Sequence, residues 1–232
     1  MIEKIYTIPV NEVFSAKPCG CALCAMRHRF EQDRIDYVLG PALMEPDVRT
    51  ATNEKGFCPD HYAMLFNSHK NSVGLGLLTN TYIETIQKKL AGPMRHRSDK
   101  DLAATLEKIG STCFICDQLN FTMARYIDVI YWQYANDRDF RQLFNEQDGF
   151  CLEHFRQLCA GAKKGLPSKI KAEFMNDLCS VQSRKLAELQ VDVDWFTKKF
   201  DYRYKDEPWN NSKDAVPRAI EFLTGEGRVN KQ

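Results

Sequence analysis

Eight residues of this chain stand in a spacing suited to holding metal. Cys21-Ala22-Leu23-Cys24 matches Cys113-Phe114-Ile115-Cys116, and Gly56-Phe57-Cys58-Pro59-Asp60-His61 matches Gly149-Phe150-Cys151-Leu152-Glu153-His154. Thirty-three residues separate Cys24 from Cys58, and 34 separate Cys116 from Cys151. Thiolate and imidazole are the preferred donors of tetrahedral zinc. A CxxC pair offers two sulfurs within one turn, and the ligands of CxxH, three apart, share one helix face. Read in chain order, the motifs predict one Cys3His site per half: Cys21, Cys24, Cys58 and His61, then Cys113, Cys116, Cys151 and His154. A lone CxxC is weak evidence, since redox motifs share it; the doubled pattern is strong. Two zinc ions are the expected cofactors. Iron–sulfur clusters on the same ligands are the alternative, although all-cysteine ligation is more usual for them.

The elements around the motifs should serve the same end. Each motif falls where a helix is expected to begin, and the unpaired N–H groups there favour the negative charge of three thiolates on a divalent ion. Gly56 and Gly149 are expected to turn with positive φ, leaving Phe57 and Phe150 to shield the sulfurs. Asp60 and Glu153 could serve as general bases beside a metal. The preferred reading is plain helix-N-terminal acidity, because four protein ligands close a site to water and substrate. No catalytic residue is assigned, and the expectation leans away from an enzyme: the chain has no phosphate loop, nucleophile elbow or HExxH.

The remaining cysteines and histidines receive structural readings. Cys19 is a spare thiol whose counterpart in the second half is Ser111, though it could replace Cys21 in a rearranged site. Cys159 and Cys179 are expected as small core residues. His28, His69 and His96 lie among polar residues and are expected to be exposed.

Apolar spacing is helical along most of the chain, over residues 25–39, 72–90, 117–136, 168–200 and 212–223. The pattern over 168–200 suggests a bend or break near Val191, and Ser212 is a candidate cap. Segment 117–136 is apolar all round, as in a core or dimer-interface helix. Only Ile5–Val10 could be extended, and Pro9 weakens that reading. The predicted fold class is therefore all-α, built from two tandem pseudo-repeats. The predicted boundaries are 1–92 for the first repeat, 93–100 for a linker, 101–200 for the second repeat and 201–232 for a C-terminal helix and tail.

With 32 Lys and Arg against 31 Asp and Glu, the net charge is +1. Nucleic-acid binding is thus disfavoured, and Arg95–Arg97 and Lys163–Lys164 read as solvated charges. No apolar run reaches the roughly 18 residues of a membrane span, and the N-terminus lacks a signal-peptide pattern. A cytoplasmic location is expected, where nine cysteines serve as ligands or thiols rather than disulfides.

The doubled CxxC…GFCxxH pattern resembles an uncharacterised family of bacterial cytoplasmic proteins common among clostridia-like anaerobes. The resemblance runs from Cys21 to beyond His154, and residues after about 195 add nothing to it. It implies a soluble, duplicated metal-site protein and carries no activity. Four readings follow. The first is a structural-metal module binding an unknown protein partner or itself. The second is a thiol-based redox or metal-responsive switch. The third, an enzyme or electron carrier, depends on iron–sulfur ligation. The fourth, nucleic-acid binding, has the charge balance against it.

Overall fold

The structure is a computed structural model that describes residues 4–16, 20–96 and 99–225. It is all-helical as predicted, with no strand among the described residues. The helices are α1 (Lys4–Ser15), α2 (Ala22–Leu39), α3 (Pro46–Lys55), α4 (Pro59–Asn67), α5 (Ser72–His96), α6 (Asp99–Gly110), α7 (Phe114–Asn136), α8 (Arg138–Asn145), α9 (Leu152–Gly165), α10 (Ser168–Lys198) and α11 (Ala215–Thr224). The duplicated order is visible in them. In each half a CxxC opens a long helix (α2, α7), a short helix follows (α3, α8), and GFCxxH opens the next (α4, α9). A longer helix then closes the series (α5, α10).

Several local expectations change. Ile5–Val10 is helical: Val10 and Phe14 are buried four apart, so apolar burial on one helix face outweighs the single N–H lost at Pro9. The 93–100 stretch is mostly helical, since α5 continues to His96 and α6 begins at Asp99. The long α10 is unbroken to Lys198; it contains neither Gly nor Pro, and Val191 simply faces solvent. Ser212 caps nothing: its hydroxyl donates to the Trp209 carbonyl, and Asp214 precedes α11.

Contacts divide the chain into two compact units that cut across the sequence repeat. One comprises Arg29–Thr122; the other comprises Met1–His28 with Met123–Gln232. The divisions fall inside α2 and α7. In the Arg29–Thr122 unit the core gathers Ile35, Val38 and Leu39 of α2 with Phe57, Leu65 of α4, Leu78 of α5, and Phe114 and Ile115 of α7. The discontinuous unit has an aromatic core. Phe174 of α10 packs against Tyr134 at 4.9 Å, Phe144 at 5.2 Å and Tyr131 at 5.4 Å between ring centres, and Phe14 of α1 meets Phe140 at 4.9 Å. Gly161 and Gly165 let α9 approach Tyr131, whose hydroxyl donates to the Leu158 carbonyl at 2.7 Å. Helix α7 is thus a core helix over Met123–Tyr134, with only Phe121 and Trp132 among its large apolar residues exposed.

Candidate metal centre

All eight predicted ligands converge into two clusters, but not in the predicted grouping. One cluster, in the discontinuous unit, is Cys21, Cys24, Cys151 and His154; the other, in the Arg29–Thr122 unit, is Cys58, His61, Cys113 and Cys116. Each site takes CxxC from one half of the sequence and GFCxxH from the other. The reason lies in helix length. At 1.5 Å per residue, α2 carries the chain about 22 Å from Cys24 to Leu39, whereas the ten residues of α3 span only about 15 Å. The 23-residue α7 and eight-residue α8 repeat the imbalance. Each long helix crosses from one unit to the other, so a GFCxxH motif lies in a different unit from the CxxC that precedes it.

Both sites share one local design, in which two helix N-termini meet. Cys58 and Cys151 occupy the N-cap positions of α4 and α9, and Cys21 and Cys113 directly precede α2 and α7. The second ligand of each motif lies three residues on, in the first turn. Unpaired N–H groups at such ends favour thiolate charge; the Cys116 N–H, for instance, donates to Cys113 Sγ at 3.5 Å. Gly56 and Gly149 turn the chain into α4 and α9 with φ of 63° and 112°, as predicted.

In the Arg29–Thr122 unit, His61 Nδ1 lies 3.1 Å from Cys58 Sγ, 3.3 Å from Cys113 Sγ and 3.4 Å from Cys116 Sγ, and the Cys58 and Cys116 sulfurs are 3.7 Å apart. In the other unit, His154 Nδ1 lies 3.4, 3.3 and 3.2 Å from the sulfurs of Cys21, Cys24 and Cys151, with Cys24 and Cys151 Sγ 3.5 Å apart. Within each cluster all donor atoms lie within 4.8 Å of one another. A tetrahedron with metal–sulfur bonds of ~2.3 Å and metal–nitrogen bonds of ~2.0–2.1 Å has edges of roughly 3.5–3.8 Å, so both donor sets fit a single ion.

Hydrogen bonds beside the ligands lock the two loops of each site together. In the Arg29–Thr122 unit the Phe114 N–H donates to the Gly56 carbonyl at 2.9 Å, and the Thr112 hydroxyl donates to the Lys55 carbonyl at 2.8 Å. In the other unit Asp148 accepts from the Gly20 N–H at 3.0 Å and pairs with buried Lys185 at 3.0 Å. The Gln182 side chain of α10 holds both backbone groups of Phe150, accepting from its N–H at 3.2 Å and donating to its carbonyl at 2.9 Å. Sequence reasoning missed these supports because they come from distant helices with no spacing signature.

The sites differ in their surroundings. His61 Nε2 lies 3.1 Å from a carboxylate oxygen of Glu31, which orients the ring and leaves Nδ1 facing the three sulfurs. Glu31 is ten residues after Cys21; ten residues after Cys113 stands Met123, so the repeat offers no matching carboxylate. The four ligands of the discontinuous unit are between 1% and 6% exposed. The end of α11 covers them: a Cβ placed on Gly225 would lie 3.9 Å from both Cys24 and Cys151 Sγ. In the other site His61 and Cys113 are buried, but Cys58 and Cys116 are half-buried.

The electrostatics favour a cation in both places. Burial, reinforced by the sulfurs of Cys151 and Cys24, pushes the Cys21 thiol well up, while hydrogen bonds from Cys21 and Cys24 drive Cys151 strongly down. In the other site burial and the neighbouring sulfurs push Cys116 up. Burial opposes charge on Cys113 and His61 as well, yet their mutual hydrogen bond brings Cys113 down to about 6 and, with Glu31, lifts His61 to about 10. The opposed shifts show that each cluster resists holding several thiolates at once, a cost that a divalent ion would relieve.

The other candidates stand apart from the clusters. Asp60 and Glu153 are exposed; Glu153 pairs with Arg156 at 2.6 Å, which together with Gln157 holds its carboxyl at about 2. Cys159 is half-buried and Cys179 is exposed, which overturns the expectation of two small core residues. His28 and His69 are exposed as predicted, whereas Cys19 and the His96 side chain lie outside the described residues. No described helix is long and apolar enough to cross a membrane.

Comparison with the curated proteins and with the solved structures gives no match. The family comparison reaches further than the resemblance drawn from the motifs, since it takes in the C-terminal segment as well. Over residues 1–230 the chain matches the profile of a family of unknown function (DUF6062), and it belongs to that family.

Proposed function

We propose that this chain is a helical scaffold held by two structural zinc ions, and that its task is to bind a protein partner or a second copy of itself in the cytoplasm. The observation that carries the reading is the closed donor set: three sulfurs and one imidazole nitrogen within 4.8 Å in each cluster. Four protein donors complete a tetrahedron and leave no open position for substrate or activated water. Close convergence also favours one ion over an iron–sulfur cluster, in which the ligands bind different irons and are held apart.

The test combines metal analysis with chelation. Elemental analysis should find two zinc ions per chain in a colourless protein; a brown protein with visible absorption would overturn zinc. A structural zinc site contributes about 10–16 kcal/mol of apparent binding free energy, comparable to the roughly 5–15 kcal/mol that stabilises a whole domain. Helical circular dichroism should therefore fall as a strong chelator removes the metal. Full helicity and an unchanged melting temperature in the metal-free protein would remove the structural role.

A further inference from the structure

We propose that Cys58 and Cys116 form an oxidation site: peroxide joins them in a disulfide and so opens the metal centre of the Arg29–Thr122 unit. The inference rests on the two-ion reading above and assigns a regulatory chemistry to one site only.

Three observations single out this pair. Among the six ligand cysteines only these two are half-buried; the other four are buried. Their sulfurs are 3.7 Å apart, close enough to join after a small movement. They also lie on separate helices, Cys58 at the cap of α4 and Cys116 in the first turn of α7, so the bond would cross-link the two segments that build the site. Susceptibility to oxidation follows thiolate character and access. Metal ligation keeps both sulfurs as thiolates, and exposure separates them from the rest. The Cys24–Cys151 pair is as close, at 3.5 Å, but both residues are buried.

The chemistry balances. One thiolate attacks a peroxide oxygen, the O–O bond breaks, and a sulfenic acid forms as hydroxide leaves. The second thiolate attacks that sulfur, the S–S bond forms and a second hydroxide leaves. Two protons from solvent convert both hydroxides to water. The sulfurs lose two electrons and one hydrogen peroxide gains them. Cys113 and His61 then remain as the only free donors, too few to retain an ion.

The experiment uses the full-length two-zinc protein and hydrogen peroxide. Zinc release is followed with a chromogenic chelator, and the cysteines are mapped by alkylation and peptide mass spectrometry. We expect one equivalent of zinc to be lost before the second begins to leave, with a Cys58–Cys116 cross-link and with Cys21, Cys24 and Cys151 still alkylatable after reduction-free unfolding. A C159A/C179A variant should behave identically, since those thiols take no part. Release of both ions at one rate, loss of Cys21, Cys24 or Cys151 reactivity first, or a Cys113–Cys116 bond instead would each overturn the proposal while leaving two-zinc binding intact. A starting protein with fewer than two ions would defeat the metal reading itself, and this inference with it.

Discussion

At the scale of single residues, the pairing of ligands makes a sharp prediction. Cys58 shares its site with Cys113 and Cys116, not with Cys21 and Cys24. C58S and C113S should each lose one of two ions, and the C58S/C113S double variant should still hold one. The C21S/C58S double variant should lose both. Elemental analysis of the four variants decides the matter: a C21S/C58S protein that retains one ion restores the sequential grouping. Gly56 offers a second residue-scale test. Its backbone sits at φ 63° and ψ −156°, a region open essentially to glycine, and a Cβ there would lie 2.2 Å from Cζ of Tyr82. G56A should cost about 1–3 kcal/mol in backbone strain, with further loss from displacing Tyr82, read as a lowered melting temperature. An unchanged melting temperature would show that the loop adapts.

At the scale of elements, the helix ends do most of the positioning. Four helices deliver their candidate ligands from the cap and first turn, so each cluster lies at two helix N-termini. Helix α2 contributes in a further way, through Glu31 on His61. E31Q should weaken metal binding at that site about 10–100-fold and leave the other ion's affinity unchanged, as measured by competition with a zinc-binding dye. Equal weakening of both sites, or none, would mean that Glu31 does not orient His61.

At the scale of the whole molecule, both metal sites straddle the middle of the chain. Cys21, Cys24, Cys58 and His61 precede residue 97, and their partners Cys113, Cys116, Cys151 and His154 follow residue 98. A protease site inserted between residues 96 and 99 should yield two fragments that stay together while metal is bound. Gel filtration should show one species before chelation and separation or aggregation after it. Nicked fragments that part freely, each carrying one ion, would contradict the crossed pairing.

Much of this protein was legible in its sequence. The eight ligand types, the repeat, the helical character and the positive φ of Gly56 and Gly149 all follow from local chemistry, which neighbouring residues determine. The grouping of the ligands is a different kind of property. It depends on α2 and α7 each crossing from one unit to the other between a CxxC and the next GFCxxH, and no motif announces that crossing. The helix over Ile5–Val10, where packing of Val10 and Phe14 overrode Pro9, and the exposure of Cys179 were likewise set by which neighbours cover each face. Glu31, Asp148, Gln182 and Lys185 joined the sites only through contacts between segments remote in sequence. The amino-acid order by itself determined which residues can hold metal; the tertiary structure decided which of them hold it together, because that choice is made by helix lengths and long-range packing rather than by spacing.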